Sequence, residues 1–174
     1  KGTHDSKIIG VKAKTKDNIE LYSAKIYELT QPLFKDNGHK APYPFGFSPT
    51  FHHYRLDEPQ KRKKPSNIFV CSMGELFGNY IPDKWIETIF DYCRKAPQHN
   101  YLFLTKNGKR YEEMSDTTQL LLGDNIWYGQ TITNELQTAY YPKVDVLMNK
   151  INMFISFEPI EEDISYYATL NELY

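Results

Sequence analysis

The sequence predicts an α/β fold in which parallel strands alternate with helices and close part of a (β/α) barrel. Three observations carry that expectation. Short apolar runs recur at residues 68–71, 101–104, 126–129 and 153–157, each with the length and composition of a buried strand. Stretches with helical spacing lie between them, the alternation that parallel sheets require. Each run then ends in polar or small residues: Ser72-Met73-Gly74-Glu75, Thr105-Lys106, Gln130-Thr131 and Glu158-Pro159. Right-handed crossovers bring such ends to one rim, and in parallel barrels that rim is the active face. Four to six strands can be counted by eye, fewer than the eight of a closed barrel, so a partial and apparently incomplete barrel is expected.

Element by element, Ile8 to Val11 reads as a short strand and residues 12–18 as a charged loop. Residues 1–21 are taken as an irregular N-terminal segment and 22–174 as the partial barrel of a single domain. Ile26, Leu29 and Leu33 recur at helical spacing, which predicts a helix over 22–34 closed near Pro32. Residues 37–49 follow Asp36-Asn37-Gly38 and hold Pro42, Pro44 and Pro49; a long irregular loop in a compact domain is often functional. Pro82 suits the start of a helix, with Trp85, Ile86, Ile89, Phe90 and Cys93 along one face. Residues 109–114 read as a short helix or turn. Asn134 can cap a helix running to about Asn149, kinked or restarted by Pro142. Residues 160–174 also read as helical.

Composition removes several function classes. With 40% hydrophobic and 25% charged residues over 174 positions, the chain has the make-up of an ordered globular domain and not of a disordered one. No apolar run approaches the roughly 18 residues that cross a bilayer, so no membrane partner is expected. Two cysteines, Cys71 and Cys93, exclude a disulfide scaffold and a four-cysteine zinc site. With no signal peptide, the reducing cytoplasm is the expected location. A net charge of −1 argues against general coating of nucleic acid and leaves room for a local basic groove. No dinucleotide-binding, Walker, serine-elbow or zinc-protease motif is present, and no metal ligand set is expected.

Candidate contacts remain in the middle of the chain. Lys61, Arg62, Lys63 and Lys64 form a basic run that reads either as a solvated loop or as a phosphate or nucleic-acid contact. His52 and His53 stand beside Arg55. In an extended chain they point to opposite faces, which disfavours joint metal ligation and leaves His52 and Arg55 as substrate contacts. Tyr128 reads either as a core aromatic or as a ribose contact. His99, ahead of a strand, reads as structural.

Longer motifs carry a resemblance. They are Phe47-Ser48-Pro49-Thr50-Phe51-His52, Arg55-Leu56, Lys63-Lys64-Pro65, the stretch from Ile68 through Cys71-Ser72-Met73-Gly74-Glu75 to Phe77, the stretch from Pro97 to Lys106, Ile126-Trp127-Tyr128-Gly129, and Phe154-Ile155-Ser156-Phe157-Glu158-Pro159. Over residues 22–164 the chain resembles an uncharacterised phage-protein family, the three-Cys-motif proteins. That family looks like a distant branch of the radical-SAM superfamily, similar in organisation to spore photoproduct lyase. The resemblance implies a partial barrel, a [4Fe–4S] cluster held by three cysteines, and S-adenosylmethionine bound at the strand ends. It assigns Ser72, Met73, Gly74 and Glu75 to the cofactor's amino group, where glycine allows close approach and a carboxylate pairs with an ammonium. Lys106, Gln130 and Glu158 would complete the cofactor site; a carboxylate at the barrel mouth needs a partner, which for Glu158 is either a ligand or Lys106. His52, Arg55, Lys61, Arg62, Lys63 and Lys64 would face substrate or nucleic acid.

One departure is large. The family places its cysteine triplet just ahead of the stretch matching Tyr22-Ser23-Ala24-Lys25-Ile26, and residues 16–21 hold no cysteine. A second register over residues 3–9 holds none either. Two functional readings therefore stand: a radical-SAM-like enzyme of unknown substrate, or a cluster-free binding module that keeps a nucleotide-like pocket. A degenerate remnant without activity is the third. An incomplete barrel leaves sheet edges, which an oligomer contact or a partner protein is expected to cover.

Overall fold

A computed structural model describes residues 4–14, 19–116, 120–133 and 151–158. The chain divides into two compact units, Lys1–Lys63 with Asn79–Ala96, and Lys64–Gly78 with Pro97–Tyr174.

The first unit is built on a three-stranded sheet. Strand β1, His4–Lys14, pairs antiparallel with β2, Ile19–Leu29, from His4↔Leu29 to Lys14↔Ile19. Strand β3, Thr50–His52, adds parallel to the far end of β2. The helix expected over 22–34 is thus a strand as far as Leu29, and the segment 1–21, expected to be irregular, holds the whole of β1. Ile26 and Leu29 are both buried, as helical spacing required, but three residues apart in a strand they lie on opposite faces. Ile19, Tyr22, Ile26 and Tyr27 are β-branched or aromatic and suit extended backbone. A partner strand along the whole length then outweighs the weak helical periodicity.

After β3 come a 3₁₀ turn, His53–Arg55, and the short helix α1, Glu58–Lys61. Helix α2, Asp83–Arg94, belongs to the same unit, with Pro82 at its cap. Trp85, Ile86, Phe90 and Cys93 form its buried side, as their spacing predicts. Trp85 stacks on Phe51 of β3, ring centroids 5.0 Å apart and planes 13° apart.

The second unit holds a parallel four-stranded sheet. Its strands are β4 (Asn67–Val70), β5 (Asn100–Thr105), β6 (Ile126–Thr131) and β7 (Asn152–Ser156), side by side in chain order. All four sequence-predicted strands are present and parallel. The sequence predicts one partial barrel; among the described residues the strands instead lie in two separate sheets, and no barrel closes. Helix α3, Lys109–Asp116, joins β5 to β6. The helices expected over 134–149 and 160–174 fall outside the described residues.

The two faces of this sheet differ. On one, Tyr101, Phe103, Ile126 and Tyr128 are buried. Phe77 and Tyr111 of α3 pack edge-on against one another at 4.7 Å, Tyr111 meets Tyr128 edge-on at 5.0 Å, and Phe103 stacks on Tyr128 at 5.4 Å. Their hydroxyls are satisfied, as buried phenols require. Tyr111 donates to the Gly129 carbonyl at 3.0 Å, and Tyr128 donates to the Leu121 carbonyl at 3.0 Å while accepting from the Leu121 N–H. Tyr128 is therefore a core aromatic and not a ribose contact. On the other face Phe69 and Trp127 remain exposed. Residues 68–71 were expected to be buried on both sides. Instead the strand stops at Val70 and stands at the edge of the described sheet, with Asn67 and Phe69 exposed.

Candidate functional site

The sharpest cluster lies where β4 and β5 end. Cys71 leaves β4 with φ +58°, a left-handed conformation uncommon outside glycine. The chain turns through Gly74, whose N–H donates to the Cys71 carbonyl at 3.0 Å, and brings Glu75 back toward the sheet. Oε1 of Glu75 accepts from the Thr105 hydroxyl at 2.6 Å and from the Phe77 N–H at 3.2 Å. Oε2 accepts from the Lys106 N–H at 2.9 Å. The Thr105 hydroxyl in turn accepts from the Asn107 N–H at 2.9 Å, and the Asn107 amide donates to the Phe77 carbonyl at 2.9 Å. The β4 turn and the β5 end are thus laced together through one carboxylate. A carboxylate offers about four acceptor positions, so three donors leave one on Oε2. Cys71 is exposed as a residue, but local desolvation of its sulfur, and then the Glu75 carboxylate, push the thiol above its usual range. That disfavours Cys71 as a nucleophile or soft ligand.

Other residues assigned to the cofactor scatter around this node. Ser72, Met73 and Gly74 are exposed in the turn. Lys106 meets Glu75 through its backbone, and its ammonium makes no ion pair among the described residues. For Glu158 the sequence offers a ligand or Lys106 as partner; in the structure it accepts from the Ser156 hydroxyl at 2.5 Å. Gln130 is buried with its side chain against Gly108, where a Cβ would come within 2.4 Å of Oε1. It lies on the same face as Tyr128, not on the open one.

The open face has a consistent chemistry. Phe69, Leu102, Trp127 and Asn152 stand in register across the four strands, and Leu104, Gly129 and Phe154 make the next row on that side. The Phe154 ring lies over Gly129, where a Cβ would fall 2.3 Å from Cζ; only glycine leaves room for it. Amides fringe the lower end, with Asn100 Nδ2 donating to Asn67 Oδ1 at 2.9 Å and Asn152 Nδ2 to the Ile126 carbonyl at 3.0 Å. The face is an aromatic floor with Lys106, Thr131 and Ser156 at the C-terminal end of its strands.

In the first unit the adjacent histidines do diverge. His52 Nδ1 meets the Tyr54 hydroxyl at 3.0 Å, while His53 Nε2 meets Glu28 Oε2 at 3.0 Å. Burial, and then Arg55, lower the His52 pKa below its ordinary value. Arg55 is held by Glu58 through Nε at 3.0 Å and a terminal nitrogen at 3.2 Å. Lys61 pairs with Asp57 at 2.8 Å, and Arg62, Lys63 and Lys64 are exposed. Sequence reasoning missed Glu28, which also accepts from Trp85 Nε1 at 2.7 Å. Its contacts are 25 and 57 residues distant, and no local pattern announces them. Thr105 was named only as a polar strand end, and Asn107 was missed, though a threonine two residues before a loop asparagine is a turn signal that was available.

The cluster implied by the resemblance can be tested against these residues. It needs three thiolates. The sequence holds two cysteines, Cys71 in a turn with a raised pKa and Cys93 buried on α2 with its thiol pushed up to about 12 by burial. Residues 19–21, where the resemblance sets part of the triplet, are strand β2. No group of three His, Cys, Asp or Glu gathers among the described residues. The residues present do not fit the cluster.

A family described as a protein of unknown function, DUF5131, has a model that matches residues 26–172. The chain belongs to the DUF5131 family. The match spans β3, both units' helices and all of β4–β7, so the Glu75 node lies inside the family region of this DUF5131 chain. Searches against curated proteins and against solved structures give no match. No helix among the described residues is long and apolar enough to cross a membrane.

Proposed function

We propose that the parallel-stranded unit is a cluster-free binding module for a small nucleotide-like ligand that carries a cationic group, of the S-adenosylmethionine type. The observation that carries this reading is the Glu75 carboxylate, fixed by three donors at the strand ends with one acceptor position left. An ammonium supplies what that position lacks, in a charge-assisted bond. Glu75 meets the side chain of Thr105 on the buried face of the sheet, so the rings of Phe69, Trp127 and Phe154 on the opposite face take no part in this reading. Radical chemistry would require thiolates that this sequence does not hold, so the proposal stops at binding.

Titration calorimetry with S-adenosylmethionine and with adenosine tests it. Saturable binding of S-adenosylmethionine is expected. Glu75→Gln should weaken S-adenosylmethionine about 10- to 100-fold, the scale of one hydrogen bond to a charged group, and adenosine much less. Absence of saturable binding by either compound at millimolar concentration refutes the reading.

A further inference from the structure

The loop over residues 30–49 has so far no role, yet it is built with care. Phe34 bridges Lys40 as an antiparallel pair. The Ala41 N–H donates to the Leu33 carbonyl and the Lys35 N–H to the His39 carbonyl, each at 2.8 Å. Gly38 closes this small hairpin with φ +79°, a conformation that glycine adopts at no steric cost. Beyond it, Phe45 stacks on Tyr27 of β2, centroids 3.7 Å apart and planes 8° apart, and the Lys25 ammonium sits 5.3 Å from the Tyr27 ring. The Tyr27 N–H donates to the Pro49 carbonyl at 2.9 Å. Two backbone hairpin bonds and one ring stack therefore hold the loop in place.

What this scaffold displays is unusual. Phe34 and Tyr43 are more than half exposed and Phe47 is fully exposed. Phe34, Tyr43 and Phe47 thus turn three aromatic rings to water within one 20-residue loop. Cations stand among them. Lys35 and Lys40 are exposed and make no ion pair among the described residues; Lys35 follows Phe34 in the chain, and Lys40 is its bridge partner across the hairpin. Arg55 lies within electrostatic reach of Tyr43.

We infer that this loop is a docking surface for single-stranded nucleic acid. Bases stack on Phe34, Tyr43 and Phe47, and phosphates meet Lys35, Lys40 and Arg55. Alternation of ring faces with cations is what a strand of stacked bases on a charged backbone requires. The charges also discriminate between partners. Asp36 in the hairpin turn and Glu58 on Arg55 would be driven into the headgroup region if the rings inserted into a bilayer. A single strand can pass such carboxylates on its solvent side. With a chain net charge of −1, the attraction is local, so a shallow salt dependence is expected: three phosphate contacts give a slope of about −2 in log K against log salt.

The test is fluorescence anisotropy of a labelled 12-nucleotide single strand with the whole chain. A duplex of the same sequence and vesicles containing phosphatidylserine serve as the competing partners. Binding of the single strand, tighter than of the duplex, is expected. Phe47→Ala should weaken it about 5- to 100-fold, within the range of one stacked base, and Phe47→Trp should restore it. Lys35→Gln with Lys40→Gln should flatten the salt slope by about one to two. These side chains are exposed, so circular dichroism melts should match the parent. The inference is overturned if the single strand does not bind, if Phe47→Ala leaves its affinity unchanged, or if Phe47→Ala acts only on vesicle binding. It stands or falls without reference to the small-ligand site, since all its residues lie in the first unit.

Discussion

Replacing Glu75 by alanine removes the acceptor that joins the β4 turn to the β5 end. Three donors lose their partner: the Thr105 hydroxyl, the Phe77 N–H and the Lys106 N–H. Their fates differ. Lys106 is exposed, so its N–H turns to water at little cost. Thr105 and Phe77 are 1% and 0% exposed, so their donors have no such route. An orphaned buried donor costs about 1–3 kcal/mol, so two of them give about 2–6 kcal/mol. For a chain of this length that corresponds to a fall in Tm of about 4–24 °C. Glu75→Gln should fall between the parent and Glu75→Ala: its amide oxygen can still serve Thr105 and Phe77, but its NH₂ group faces the Lys106 N–H donor to donor. Urea denaturation of the three proteins, with equal m-values, is the assay. If Glu75→Ala lies within about 0.5 kcal/mol of the parent, the carboxylate does not lace the strand ends and the argument for its fixed position fails.

Further outcomes follow from other residues. Gly129→Ala should destabilise by about 1–2 kcal/mol, the scale of a local overpacking, because its Cβ would collide with the Phe154 ring; Phe154→Ala in the same chain should remove most of that coupling in a double-mutant cycle. The Cys93 thiol is pushed up to about 12 and Tyr111 well above its ordinary value, in both cases first by burial. Groups with raised folded pKa values stabilise fully below their unfolded pKa and lose that contribution as pH rises through the folded one, so urea midpoints should fall between pH 9 and 12, less so in Cys93→Ala and Tyr111→Phe. His52 has the opposite sign. Its lowered pKa, caused by burial and then Arg55, contributes stability above pH 6.5 that is lost as pH falls below it, and His52→Gln should flatten the midpoint change between pH 7.5 and 5.

The strands of the second unit were legible because a parallel sheet demands continuous apolar runs, and such runs are local. Residues 101–104 and 126–129 show it: each becomes a strand within a residue or two of its expected bounds. The amphipathic face of α2 was legible for the same reason, since Trp85, Ile86, Phe90 and Cys93 repeat at the helical period. Residues 22–29 were not. Their spacing fits both periods, and the choice fell to β1, a partner that no pattern within 22–29 names. Of the candidate site, the turn from Ser72 to Glu75 was found because a carboxylate after a buried strand stands out. What the carboxylate does was hidden: it serves Thr105 and Lys106, about thirty residues on. Glu158, chosen by the same rule, ended on its neighbour Ser156 instead.

By itself, then, the sequence determined that this DUF5131 chain makes parallel strands with polar ends, because periodicity and strand punctuation are properties of adjacent residues. Only the tertiary structure decided which of those polar ends meet, that β2 is a strand, that one face of the parallel sheet keeps Phe69 and Trp127 exposed, and that three rings of the 30–49 loop stand in water. Each of those depends on contacts between residues far apart in the chain, whose distances no local pattern records.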